Sequence, residues 1–261
     1  MKLLLFCYLL YVGLVAAIMR ARGVHAATPS PRSAAPGTIR RVLVIGATGG
    51  TGRELVKQAL ERGYEVTAFV RTPAKLALTH PQLKIVRGDV LDAAAVQAAV
   101  AGQDAVVSAL GHRRLFVPSR VQTEGMRNVL QAMEQHHVRR LVCVTALGLG
   151  DSVGKLGLLA TLLVYPFILA IYFWDKSQQE QLIGASELDW VIVRPGVLTD
   201  APKSRSYRHG HHVGSYLSMS RIGRADVADF MLNQLNDDTY LRQAPGIAPQ
   251  QIERAESGSH P

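Results

Sequence analysis

The sequence predicts an α/β protein: a doubly wound parallel sheet in a single domain, with an apolar helix in front of it. Three observations predict it. From Arg40 to about Asn236, short β-branched runs alternate with amphipathic stretches of helical length, the pattern of parallel strands joined by crossover helices. The first of those runs opens directly into a glycine-rich turn and then a helix. Residues 3–19 form an uncharged run ahead of that pattern.

The 261 residues suffice for a large buried core. Hydrophobic residues at 48%, charged residues at only 19% and a mean hydropathy of +0.11 exclude a disordered or collagen-like chain. They also point to apolar surface that meets something other than water. Lys and Arg number 29 against 20 Asp and Glu. Residues 1–39 hold Lys2, Arg20, Arg22 and Arg32 and no acid, so four of the nine excess charges precede the folded part. The remaining bases are neither clustered nor interleaved with aromatics, which argues against a nucleic-acid partner. Cys7 and Cys143 lie in an apolar and a strand-like run, so neither a disulfide framework nor a metal-ligand spacing is present.

The apolar run 3–19 (LLLFCYLLYVGLVAAIM) follows a single Lys2 and has two readings. Val24-His25-Ala26 before Ala27 resembles a cleavage site, which would make residues 1–27 a signal peptide and the domain an exported one. Alternatively, seventeen residues lie at the short end of what spans a bilayer. Arg20 and Arg22 directly behind the run then favour an uncleaved anchor with the domain on the cytoplasmic side. That second reading is preferred. Residues 28–39, rich in Pro, Ser and Ala, form a flexible linker.

The domain is expected over residues 40–241. Val42–Ile45 is the first strand, followed by a helix that carries Leu55, Val56 and Leu60 and stops at Gly63. Glu65–Val70, Lys84–Val86 and Ala105–Leu110 supply the next three strands, and Asp92 caps the helix between the last two. A long helix over 120–136 leads to the strand Leu141–Thr145. A second apolar run, 156–174 (LGLLATLLVYPFILAIYFW), lies between Lys155 and Asp175. Its length fits a membrane crossing, but strands of one sheet flank it on both sides. A hairpin broken at Pro166 is expected instead, resting on the membrane, with a dimer face or plain core as the alternative. A helix over 176–186, the strand Trp190–Val193 and a helix over 224–236 complete the pattern. Residues 242–261 read as a disordered tail.

The turn after the first strand is Gly46-Ala-Thr48-Gly49-Gly50-Thr51-Gly52. Glycine is needed where the turn is tight, where backbone must approach a pyrophosphate and where helix meets sheet. The phosphate then sits on the free N–H groups of the helix start, and Thr48 and Thr51 add hydroxyls. This is the dinucleotide turn of a Rossmann-type fold. An NAD site places a carboxylate at the end of the second strand. Here stand Arg71 and Lys75, suited to a 2′-phosphate, so NADP(H) is favoured over NAD(H).

The segments VLVIGATGGTGRELVKQALERGYEVTAFVRTPAKL, RGDVLDAAAVQAAVAGQDAVVSALG and TEGMRNVLQAM resemble the atypical short-chain dehydrogenases, in particular the biliverdin reductase B/flavin reductase group and NmrA-like NAD(P)H-binding proteins. The resemblance covers roughly residues 40–236. It implies that Gly46 to Gly52 bind pyrophosphate, that Arg71 and Lys75 take the 2′-phosphate, and that Asp89 and Val90 border the adenine. It also implies that Ala109, Leu110, Gly111 and His112 pass under the nicotinamide-side ribose and that Pro195 lies close to the nicotinamide. Short-chain dehydrogenases carry a Tyr-x-x-x-Lys pair on one helix face, where the ammonium holds the ribose and the phenol trades a proton with the substrate. Tyr172 and Lys176 fit that spacing, and Thr145 is the candidate substrate-polarising hydroxyl. Ala146 stands where the biliverdin reductase-like proteins carry a serine, and those proteins have a histidine at the place of Lys176.

His209, His211 and His212 sit in a polar loop without an accompanying carboxylate or cysteine, and no metal site is expected. Arg113 and Arg114 suit either an acidic substrate or the surface. The resulting expectation is a membrane-tethered NADPH-dependent reductase of atypical short-chain dehydrogenase type. It would pass hydride to an apolar or conjugated small molecule such as a flavin, quinone, tetrapyrrole or carbonyl compound. A non-catalytic NADP(H)-binding redox sensor or assembly factor of NmrA-like type is the alternative. A sugar-nucleotide epimerase is disfavoured by the short region after the sixth strand. Oligomeric state stays open.

Overall fold

The computed structural model describes residues 2–24, 39–111, 120–157, 162 and 170–250, and for residues 170–172 the backbone only. The order of elements is α1 (Lys2–Arg22), β1 (Arg41–Ile45), α2 (Gly50–Glu61), β2 (Glu65–Val70), β3 (Leu83–Arg87), α3 (Ala93–Val100), β4 (Ala105–Ser108), α4 (Val121–Gln135) and β5 (Arg140–Val144). Then follow α5 (Ala170–Gly184), β6 (Asp189–Pro195), β7 (Val197–Thr199), β8 (Tyr207–Gly210), β9 (Arg221–Gly223), α6 (Arg224–Asn233) and β10 (Gly246–Pro249). Eight strands form one sheet in the order β3-β2-β1-β4-β5-β6-β10-β8, and β7 pairs with β9 beside it. Every pair in the large sheet is parallel except β10 with β8. This is the Rossmann-type single domain that the strand–helix alternation predicts.

Both faces of the sheet are covered, so its strands are apolar on both sides. Val42 and Val44 of β1, with Val142 and Val144 of β5, pack against Leu55 and Val56 of α2 and Val227 and Met231 of α6. Leu43, Ile45, Leu141 and Cys143 face the other way, toward Val96, Met126, Val129 and Ile183 of α3, α4 and α5. Local signals end the elements where expected. Gly63 turns the chain after α2 at φ +81°, and the Asp92 carboxylate accepts the N–H groups of Ala94 and Ala95 at the start of α3. The start of α4 has no cap of its own, and Asp175 of α5 supplies one, accepting from the N–H groups of Gln122 and Thr123 at 3.2 and 3.0 Å.

Three expectations are corrected. Residues 242–250 are ordered rather than a disordered tail: β10 pairs with β6, and Ile247 is fully buried, while residues 251–261 lie outside the described residues. Gly246, which reads as a breaker, is closely packed, since a Cβ there would lie 3.1 Å from Val213 and 3.2 Å from Leu147. The polar histidine loop is in part the edge strand β8, with His209 stacked on Phe230 and bonded to Tyr240. Finally, α5 begins at Ala170, inside the second apolar run, rather than at residue 176. Most of that run, its expected break at Pro166 included, and the linker 28–38 lie outside the described residues.

The first apolar run is helical, and its C-terminal end is built into the domain. Met19 is buried with Leu147, Leu149, Leu156 and Phe173. Gly23 crosses Gly150 so closely that a Cβ on it would lie 2.1 Å from the Gly150 nitrogen. A Cβ on Gly184 would come within 2.8 Å of the Val24 side chain. By contrast Leu3, Leu4, Phe6, Leu10 and Leu14 are exposed.

A Gly23→Leu substitution should therefore expel this segment from its groove. Tryptic cleavage after Arg22 should become several-fold faster than in the wild-type chain, while the cooperative unfolding of the sheet domain is retained.

Candidate functional site

In a sheet of this order, β1 and β4 are adjacent but their connections leave to opposite faces, which opens a crevice at their carboxyl ends. The glycine turn fills it. Gly46 adopts φ +79°, and a Cβ there would lie 2.5 Å from the carbonyl oxygen of Ala109. A Cβ on Gly52 would lie 2.1 Å from the Gly46 oxygen, so α2 rests directly on the turn. The turn is closed by the Gly49 N–H donating to the Gly46 carbonyl at 2.9 Å. Gly49 is the N-cap of α2 and offers no side chain to its first turn. The N–H groups of Gly50, Thr51 and Gly52 thus head the helix with no side-chain cap, the donor set that an anion fits. Thr48 and Gly49 are half-buried, Gly50 is exposed, and Thr51 and Gly52 are buried.

Four cations lie on this donor set or at the end of the neighbouring strand. Arg71 and Lys75 stand exposed just past β2, and the described residues at that strand's end include no carboxylate. Arg53, in the first turn of α2, donates to the Lys75 carbonyl at 3.0 Å and holds that loop beside the turn. Arg224, the first residue of α6, lies across α2: a Cβ on Gly50 would come within 2.5 Å of its Cδ and 2.7 Å of its Nε. Its Nη1 pairs with the exposed Asp200 at 2.6 Å. Arg53 and Arg224 were not singled out from the sequence. Arg53 was legible as the residue after the last motif glycine, whereas Arg224 read only as a helix start.

Asp89 and Val90 follow β3. The Asp89 carboxylate accepts the Leu91 N–H at 3.0 Å, and buried Val90 packs so tightly on α4 that a Cβ on Gly125 would lie 2.7 Å from it. Ala109, Leu110 and Gly111 continue β4 at the crevice, and the Ala109 N–H donates to Ile45 at 2.9 Å. His112, Arg113 and Arg114 lie outside the described residues. Pro195 ends β6, buried, with its carbonyl accepting from Leu147 at 2.9 Å.

The candidate catalytic residues lie on α5 and just past β5. Lys176 is buried on α5 beside Cys143. Tyr172 lies one turn earlier on that helix, its side chain outside the described residues. Thr145 is buried and donates its hydroxyl to Glu180 Oε1 at 2.7 Å. A hydroxyl has one proton, so in this arrangement Thr145 offers a substrate only acceptor lone pairs, not the polarising donor that the sequence led us to expect.

Glu180 in turn belongs to a buried network that sequence reasoning missed. Neither Glu180 nor Arg194 has exposed side-chain surface. Arg194 donates from Nε to Glu180 Oε1 at 3.0 Å and from Nη2 to Glu180 Oε2 at 2.6 Å. It also donates from Nη1 to Asp151 at 2.5 Å and from Nη2 to the Val24 carbonyl at 2.6 Å. Burial works against this guanidinium's charge, but Glu180 and Asp151 outweigh it and hold its pKa above the ordinary value. The Val24 N–H donates to Glu180 Oε2 at 3.3 Å. The foot of α1 therefore closes the network that orients Thr145. On the same face, burial pushes the Cys143 thiol up to about 12, with Lys176 pulling the other way.

Among the described residues, no group of three His, Cys, Asp or Glu side chains is placed to hold a metal ion. Comparison with known proteins agrees with the crevice. A family model described as NAD(P)H-binding matches residues 46–238. An uncharacterized chloroplast protein of Arabidopsis thaliana is 36% identical over 172 residues, 62% of this chain and 61% of that one. A photosystem II assembly factor of Synechocystis, Ycf39, is 32% identical over 157 residues, 59% of this chain and 44% of that one. The chain thus spans less than two thirds of the length of these curated relatives. Among solved structures, the anaerobilin reductase ChuY of Escherichia coli superposes with a TM-score of 0.68 at 24% identity, over 82% of this chain and all of that one. That likeness bears on the fold.

Two outcomes follow from the buried groups. Glu180→Ala, which strands the Arg194 charge, should cost about 3–5 kcal/mol in urea unfolding, and Glu180→Gln measurably less. Iodoacetamide should label exposed Cys7 but spare Cys143. Because the thiolate of Cys143 forms only as pH nears about 12, its labelling should stay negligible from pH 7 to pH 10 until the chain unfolds.

Proposed function

The chain belongs to the NAD(P)H-binding family, and on that premise we propose that it is an NADPH-dependent reductase of atypical short-chain dehydrogenase type, held at a membrane by α1. The observation that carries the cofactor assignment is the uncapped start of α2 with Arg53 in its first turn and Arg224 across Gly50, together with Arg71 and Lys75, and no carboxylate, just past the end of β2. The N–H groups of Gly50, Thr51 and Gly52 would hold the pyrophosphate. Arg71 and Lys75 would pair with the 2′-phosphate. Arg224 would exchange Asp200 for a phosphate oxygen, since it already lies over Gly50. When bound, the cofactor supplies a hydride at the carboxyl ends of β4 to β6.

The chain's own part in the chemistry is to place and protonate. Lys176, buried on α5, would hold the hydroxyls of the nicotinamide ribose. Tyr172 would pass a proton to the acceptor, its phenol favoured by the ammonium one turn away. Thr145 accepts rather than donates, which suits an acceptor that brings its own N–H or O–H, such as an oxidised flavin-like or tetrapyrrole ring. Burial of Met19 and the bonds from Val24 to Arg194 and Glu180 support an anchor kept in the mature protein over a cleaved signal peptide. Arg20 and Arg22 behind the apolar run favour the cytoplasmic side for the domain.

A second reading, a non-catalytic NADP(H)-binding sensor or assembly factor, draws support from the Thr145 proton being held by Glu180, from Ala146, and from the likeness to an assembly factor. Oxidation of NADPH by the full chain, assayed against flavins, quinones, tetrapyrroles and carbonyl compounds, separates the two. Lys176→Ala should lower turnover about 100-fold while NADPH still binds. Arg71→Ala should weaken NADPH about 10- to 100-fold and leave NADH nearly unchanged. Arg224→Gln should weaken both. Tight NADPH binding without turnover on any acceptor would favour the sensor.

A further inference from the structure

Around the foot of α1 lies an apolar surface that the sheet domain does not use. Tyr216, Leu217 and Met219 are 63%, 85% and 49% exposed, and Trp174 is 44% exposed. Their exposure is built in. The Ser215 hydroxyl accepts the N–H groups of Leu217 and Ser218 at 3.1 and 3.2 Å, and the Ser215 N–H donates to Lys155 at 3.0 Å. Beneath this turn, glycines leave room for it. A Cβ on Gly154 would lie 3.1 Å from the Tyr216 ring, and one on Gly157 would lie 2.9 Å from Ser218. A turn fixed from below with large apolar side chains at its tip has surface to cover.

The anchor tells what covers it. Ser215 bridges to Leu156, which is buried against Met19 of α1, so the turn is continuous with the helix foot. The Arg22 guanidinium lies 3.7 Å over the Trp174 ring, an aromatic–cation pair suited to the headgroup layer. Residues 212–223 hold one base, Arg221, and no acid, and Arg20 and Arg22 sit at the foot, so the charge here suits anionic headgroups. On the reading of α1 as a membrane anchor, we propose that the turn 215–219 is a second membrane contact. Tyr216, Leu217 and Met219 dip into the interfacial layer beside α1 and hold the domain in one orientation against the bilayer.

The test uses the full chain in a Cys7→Ser background with Leu217→Cys carrying an environment-sensitive fluorophore, since position 217 is too exposed to matter for folding. The protein is reconstituted in vesicles of phosphatidylcholine and phosphatidylglycerol, and a matched label at exposed Glu61, on α2, serves as reference. The expected result is a blue-shifted emission at 217 that doxyl-labelled lipids quench strongly, with the label at 61 untouched. If the protein floats with the vesicles yet the two labels respond alike, the second contact is overturned and the anchor stands. If the protein does not float, the anchor reading fails and this proposal falls with it.

Discussion

Arg194 carries a charge on a side chain with no exposed surface. Removing such a charge from solvent costs several kcal/mol, and only a full set of acceptors offsets that. The set comes from three parts of the chain, Glu180 on α5, Asp151 in the turn after β5 and the Val24 carbonyl at the foot of α1, around an arginine held on β6. Each part must therefore be in place at once. The same Glu180 holds the Thr145 proton, so the requirement that keeps Arg194 charged also sets what the carboxyl end of β5 can offer a substrate. The foot of the apolar helix α1 takes part in this network through Val24.

The cofactor crevice rests on a different constraint, that of space. Gly46, Gly52 and Ala109 approach so closely that β1, α2 and β4 meet backbone to backbone. That contact presents uncapped N–H groups to the crevice and brings side chains from distant elements to it, Arg53 from α2, Arg71 from the end of β2 and Arg224 from α6. The phosphate end is thus prepared by geometry and charge, while the substrate end depends on the buried network. The two ends face different surroundings, one open to water and the other beside the apolar foot of α1.

Much of this was legible in the chain. The glycine turn, the Asp92 cap and the cations after β2 are local signals, because each acts within a few residues of itself. The buried pair was not, since Glu180 and Arg194 sit on different elements and only the packing of α5 on β6 joins them. In the sequence Arg194 stands beside Pro195 with no local signal that marks it as buried. The strand β10 was hidden for a related reason: Pro and Gly read as breakers, yet Gly246 packs closely beneath Val213 and Leu147. Docking of Gly23 and Val24 depends on Gly150 and Gly184, far along the chain, so the first apolar run looked independent.

The central claim is a dinucleotide site tuned to the 2′-phosphate. Fluorescence titration of the detergent-solubilised full chain with NADPH and, separately, NADH tests it most directly. Saturable one-to-one binding is expected, with NADPH at least about tenfold tighter, the return for one or two charge-assisted hydrogen bonds. Equal affinity for the two, or NADH the tighter, would contradict it.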